Sequence, residues 1–229
     1  MNKYWLLSLA FVISCGFFGL WLVSGVEAEG KVLKPKLSDV VKGKGWKLVN
    51  RKASLVDETG KKGVRFDSAK GEGIAWLNDY KFKNGTIEFD VKGKNVLQKS
   101  FVGIAFQATD ETNYEVIYFR PFNFKSDDAD RRSHAVQYIA APDYGWKKLR
   151  DESPGKYEQP LEPAPDPDAW LHARVTIDGK KVSVFVNNAA KPSLVVEKLV
   201  ASREGQIGIW VGDDSDGRFA NLKVTPAKQ

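Results

Sequence analysis

From Trp46 to Val224 the chain keeps returning to one texture, in which short runs alternate apolar and polar residues and are broken by Gly, Asn, Asp and Pro. Ile87, Phe89 and Val91 oppose Thr86, Glu88 and Asp90, and Val102, Ile104, Phe106 and Ala108 oppose Gly103, Ala105 and Gln107. The same holds for Leu171, Ala173, Val175 and Ile177, for Val182, Val184 and Val186, and for Ile207, Ile209 and Val211. A period of two belongs to a strand buried on one face and wet on the other. It predicts strands at Trp46–Val49, Ala53–Val56, Gly63–Asp67, Ile74–Leu77, Gly85–Val91, Phe101–Ala108 and Asn113–Arg120. Further strands are predicted at His134–Ala140, Trp170–Ile177, Lys181–Asn187, Leu194–Val196, Gln206–Val211 and Arg218–Val224. No long stretch beyond Ala28 carries the 3.6-residue apolar period of a helix. Many short strands separated by turns predict an all-β, antiparallel two-sheet sandwich.

Asp178-Gly179 lies between two alternating runs and reads as a hairpin turn, so the runs on either side should pair antiparallel. Ala141 to Ala169 breaks the pattern with six prolines, from Pro142 to Pro167, and is not a central strand. Tyr144, Trp146 and Tyr157 give this segment rings that need something to pack on.

The N-terminus has a different character. Lys3 precedes an uncharged apolar run from Tyr4 to Val26, followed by Glu27 and Ala28. This fits a secretory signal cleaved after Ala28, and it is also long enough to cross a bilayer as an anchor. Val12-Ile13-Ser14-Cys15 resembles a bacterial lipobox, which would place a lipid on Cys15. Under each version the remainder is translocated, and the expected location is secreted, periplasmic or envelope-anchored. The chain thus divides into 1–28 (signal or anchor), 29–45 (basic lead-in) and 46–229 (sandwich).

Composition narrows the picture further. Cys15 is the single cysteine, so the folded part has neither an internal disulfide nor a cysteine-ligated metal. The net charge of +6 is concentrated between Lys31 and Lys62 and is not accompanied by a nucleic-acid-binding motif. Nucleic acid is not an expected partner, and membrane contact is expected only through the N-terminal segment.

Phe101-Val-Gly-Ile-Ala-Phe106, Asn113-Tyr114, Tyr118-Phe-Arg-Pro-Phe-Asn-Phe124 and Ala135-Val-Gln-Tyr-Ile139 are followed by Trp170, the Asp178-Gly179 turn, Gly205–Gly212 and Phe219-Ala-Asn-Leu222. In this order they resemble a concanavalin A-like lectin/glucanase domain, and within that superfamily the bacterial 3-keto-disaccharide hydrolase-like and laminin-G-like domains. The resemblance implies a jelly-roll sandwich with one concave sheet, and oligo- or polysaccharide as the partner.

The strand Asn113–Arg120 puts Tyr114, Tyr118 and Arg120 on one face and runs into Pro121-Phe122-Asn123. His134 and Gln137 follow on the next strand, and Tyr144 and Trp146 come soon after. Aromatic faces stack on sugar C–H surfaces, while Arg, Asn, Gln and His read hydroxyls. The candidate binding set is therefore Tyr118, Arg120, Asn123, His134, Gln137, Tyr144 and Trp146. Gly103, Ala105 and Gln107 are expected to leave space over the sheet. If the aromatics instead plug the sandwich, Arg120 should pair with Glu115 or Asp143.

A retaining glycosidase needs two carboxylates about 5–5.5 Å apart. Glu88-Phe89-Asp90 starts the laminarinase-type pattern, but Lys92 or Gly93 stands where the second glutamate belongs. Glu88 and Asp90 then read as solvated strand-face residues. His134, with Tyr118 or Tyr138, is the candidate base of an eliminative or keto-sugar mechanism. No cofactor is expected. Calcium is the one ion suited to the oxygen-rich turn Asp213–Gly217, which lacks the EF-hand spacing. Asp127–Arg132 reads as a solvent-facing loop. Three readings stand at this point: a glycan-binding module, a keto-disaccharide hydrolase or lyase, and an adhesion domain with no small ligand.

Overall fold

In the computed structural model, which describes Met1 and residues 31–228, the alternating runs become fourteen strands among the described residues. The signal, anchor and lipobox readings, with Cys15, lie outside those residues. In chain order the strands begin with β1 (Trp46–Val49), β2 (Ala53–Glu58), β3 (Lys61–Phe66), β4 (Gly73–Leu77), β5 (Gly85–Lys92), β6 (Val102–Ala108) and β7 (Tyr114–Phe119). They continue with β8 (Val136–Ala141), β9 (Glu158–Gln159), β10 (Leu171–Asp178), β11 (Lys181–Val186), β12 (Leu194–Glu197), β13 (Gln206–Val211) and β14 (Gly217–Pro226).

Two seven-stranded sheets result, one ordered β1-β4-β13-β6-β7-β8-β9 and the other β12-β11-β10-β5-β14-β3-β2. Every pairing between these strands is antiparallel. The predicted rows form the core: Ile87, Phe89 and Val91 meet Val175, Ala173 and Leu171 in register, and all are buried. Ile104, Phe106, Ile117 and Ile209 supply the facing layer from the other sheet. Each such side chain contributes roughly 1.5–3 kcal/mol by leaving water.

Several boundaries differ from expectation. The β10–β11 hairpin closes at Asp178 opposite Lys181, so its two loop residues are Gly179 and Lys180. Gly179 takes the left-handed conformation there, with φ +56°. The basic lead-in is bound into the domain: Leu33 exchanges two 2.8 Å backbone hydrogen bonds with Val224. A 3₁₀ turn at Leu37–Lys42 then buries Leu37 and Val40. Asp90, expected to be solvated, is only 3% exposed. Lys61 and Asn221 each bond it at 2.6 Å, and His172 Nδ1 lies 2.8 Å away. Burial pushes its carboxyl up, and these three partners together hold it below the ordinary carboxylate value.

The space expected over Gly103 is filled. Gly103 is flanked in register by Tyr118 and Trp210, whose rings lean together at 5.1 Å between centroids. A Cβ at Gly103 would meet Ile117 O at 2.1 Å and Tyr118 Cα at 2.6 Å. These are backbone atoms that cannot swing aside. Gly103→Ala is expected to cost about 2–3 kcal/mol as overpacking, measured by the urea midpoint.

Candidate functional site

Beyond β7 the chain leaves the sheet and builds one side of a cleft of about 570 Å³. Arg120 caps a 3₁₀ turn, Pro121–Asn123, which proline favours because its φ is preset for the first position. Next comes α1 (Ala129–Ser133), whose cap Asp128 accepts hydrogen bonds from the Asp130 and Arg131 amides. The segment read as a solvent-facing loop is therefore partly helical, and it brings Asp130 and Arg131 to the cleft. His134 closes this helix as its C-cap. The proline-rich stretch contributes α2 (Trp146–Glu152), which places Trp146 and Arg150 on the same wall four residues apart. Leu97, Gln98, Phe101 and Asp213 complete the lining.

Arg120 lies at the base and is nearly buried. It donates to Tyr118 Oη at 2.7 Å, to His134 O at 2.9 Å and to Gln137 Oε1. Its guanidinium also packs on the Tyr118 and Phe101 rings, 4.9 and 5.8 Å from their centroids. Burial alone would lower the guanidinium pKa. Its carboxylate neighbour is Glu158, 3.6 Å away, rather than the expected Glu115 or Asp143.

Glu158 organises the wall. Arg150 grips it at both oxygens, 2.9 and 2.8 Å, in the bidentate fork that suits guanidinium and carboxylate. His134 Nδ1 sits 2.9 Å from Glu158 Oε1. That contact assigns the proton to Nδ1 and leaves Nε2 unprotonated, with the exposed Asp130 Oδ1 3.6 Å from it. Burial pushes the His134 pKa down from 6.5, against the pull of Glu158, so the ring is neutral at pH 7. A carboxylate fixing the tautomer of a neutral imidazole is the arrangement of an oriented general base.

The seven predicted binding residues separate into three groups. Arg120, Asn123, His134 and Trp146 line the cleft together. Tyr118 and Gln137 lie beneath, holding Arg120, and the buried Tyr118 hydroxyl is pushed up to about 12. Tyr144 lies outside the lining, with Lys148 stacked 4.9 Å from its ring centroid. Tyr138 points to the opposite face and donates to Glu115 Oε2 at 2.5 Å, so it is no partner for His134. Glu158 and Arg150 were not predicted. Asn123 lines the cleft, and its Oδ1 is buried without a hydrogen-bond partner.

The Asp213–Gly217 turn does not converge on an ion. Asp213 accepts from the Gly71 amide, Asp214 meets Lys70 and Lys99, and Asp216 meets Lys94 and Arg65. Among the described residues, no group of three or more His, Cys, Asp or Glu is placed to hold a metal.

Residues 36–225 match the model of a domain family described as 3-keto-alpha-glucoside-1,2-lyase-like. No curated protein matches the chain in sequence. In three dimensions it resembles carbohydrate binding module CBM66 from Bacillus subtilis, with a TM-score of 0.55 and 17% identity over 79% of this chain and 96% of that one. A Bacillus subtilis protein of unknown function with a galectin-like fold gives 0.56 and 13% over 88% and 98%. The VIP36 exoplasmic/lumenal domain, in its Ca²⁺- and Man3GlcNAc-bound form, gives 0.50 and 13% over 81% and 86%. At these identities the likeness is one of fold, and it agrees with the concanavalin A-like architecture.

Proposed function

We propose that this chain, which belongs to the 3-keto-alpha-glucoside-1,2-lyase-like domain family, binds a saccharide in the cleft above Arg120. The observation that carries the reading is the pairing of an open ring with a fixed polar floor. Trp146, 49% exposed, presents a face for sugar C–H groups, while Arg120, Asn123 and His134 line the same space. A carbohydrate binding module and a mannose-bound domain among proteins of similar fold support a glycan ligand. The apolar run Tyr4–Val26 supports export, with the domain working in the periplasm, at the envelope or outside the cell.

A glycan array on the purified protein tests this directly. Binding should be saturable, and Trp146→Ala should weaken it about ten-fold. The same substitution should leave stability within about 0.5 kcal/mol, because the side chain is half exposed. An array without a hit would favour the adhesion-domain reading instead.

A second reading rests on the 2.9 Å contact between His134 and Glu158. A neutral, oriented imidazole lining the cleft is equipped to take a proton from a sugar carbon beside a keto group, as a lyase requires. Incubation with 3-keto-glucosides followed by product analysis tests it. Turnover lost in His134→Ala supports the enzyme, and turnover unaffected by that change rejects His134 as the base.

A further inference from the structure

The outer face of the sheet containing β5 and β10 is charged, and most of that charge is neutralised within the sheet. Lys223 bonds Glu88 at 2.7 Å, Lys92 and Arg218 meet Glu58, and Asp90 is held as described above. The pattern changes where the lead-in passes the β2–β3 hairpin. There β14 pairs with β3 only from Gly217 to Ala220. Asn221 turns left-handed, with φ +53°, and the register with β5 shifts between Ala220 and Lys223. At Val224 the neighbouring backbone is Leu33 instead of β3. The diverging segments leave a cleft of about 790 Å³, within the roughly 300–1,000 Å³ typical of small-molecule sites.

This cleft is amphipathic. Leu37, Leu55 and Leu222 supply apolar wall, and Leu55 stands 64% exposed at its lip. Lys34, Lys36 and Lys62 supply cations. Asp57 is the carboxylate of the lining and lies 3.7 Å from Lys62. No carboxylate among the described residues pairs with Lys34 or Lys36. Unneutralised ammonium groups beside an exposed leucine and an apolar wall complement a molecule that is anionic at one end and aliphatic at the other. The uncharged run Tyr4–Val26 ends eight residues before Lys34. At about 3.3–3.6 Å per residue, a membrane-held run would keep this cleft close to the bilayer surface.

We propose that the cleft binds an anionic phospholipid, with an acyl chain against Leu37, Leu55 and Leu222 and the phosphate on Lys34 and Lys36. The site is separate from the saccharide cleft, with which it shares no lining residue.

Hydrogen exchange on the full chain in phosphatidylcholine nanodiscs, with and without phosphatidylglycerol, is the test. Any insertion of the N-terminal run is common to both discs, so a difference confined to residues 34–38 and 55–57 reports the cleft. Phosphatidylglycerol should slow exchange there at least five-fold, and Lys34→Glu with Lys36→Glu should abolish the slowing. Leu55→Asp should weaken it as well. Both charge changes fall on exposed residues. Equal exchange in the two discs, slowing retained in the double variant, or the same slowing from inorganic phosphate alone would each overturn the proposal.

Discussion

Replacing Lys198 with alanine is expected to destabilise the protein by about 3–5 kcal/mol, the cost of stranding one member of a buried ion pair. The Lys198 and Glu115 side chains are both fully buried, with Nζ and Oε1 3.0 Å apart. Tyr138 donates to the other carboxylate oxygen, and Lys198 also donates to Gln107 Oε1. Desolvation pushes the Glu115 pKa up and the Lys198 pKa down, so each depends on the other to stay charged. Without the ammonium, Glu115 must either remain an unpaired anion in the core or take up a proton.

The variant's pH dependence follows from that choice. A folded-state carboxyl pKa raised above its ordinary value means that the native form binds more protons than the unfolded form between the two values. The deficit of the variant should therefore shrink as pH falls toward the ordinary carboxylate range. Urea unfolding at pH 7 and pH 5 measures both effects. A loss below about 1 kcal/mol at neutral pH would show that the pair contributes little. Lys198→Met combined with Glu115→Leu, which removes both charges, should recover most of the loss.

Glu158→Ala is expected to cost about 3 kcal/mol and to abolish saccharide binding together. The carboxylate holds Arg150 by two bonds, orients His134 and lies beside the buried Arg120 guanidinium. Its removal leaves three basic side chains around an emptied position, and among the described residues Arg120 has no other carboxylate in its contact shell. Glu158→Gln keeps the shape without the charge and separates packing from electrostatics. Calorimetric titration with the best array ligand, alongside a urea melt, reads both quantities. Wild-type affinity in the alanine variant would show that the wall does not shape the site.

The ease with which each part could be read from the chain follows from its physics. The sandwich was legible because period-two burial repeats over strands as long as β10, and Val175 and Ile177 cannot face water without exposing the whole row. Arg120 and Trp146 were legible as chemistry, since a guanidinium and a ring near a turn stand out in any context. Glu158 was not, because β9 is two residues long and lies among prolines, where no alternation can register. Arg150 sits on a seven-residue helix, too short to display a period. Pairing His134 with Tyr138 assumed that both lay on one strand. His134 ends α1 before β8 begins, so spacing between them says nothing about a shared face. Lys198 follows β12 beside Glu197, and no local pattern marks a lysine as interior.

The backbone exchange between Leu33 and Val224 also fixes how the molecule would be presented. That junction lies beside β3 and β2, at the lateral end of the sandwich where the 3₁₀ turn also touches β1. The saccharide cleft lies toward the other end, where β7 and β8 give way to α1 and α2. A tether arriving through the lead-in would therefore hold the domain by its heel and leave Trp146 pointing outward, free to sample whatever polymer drifts past.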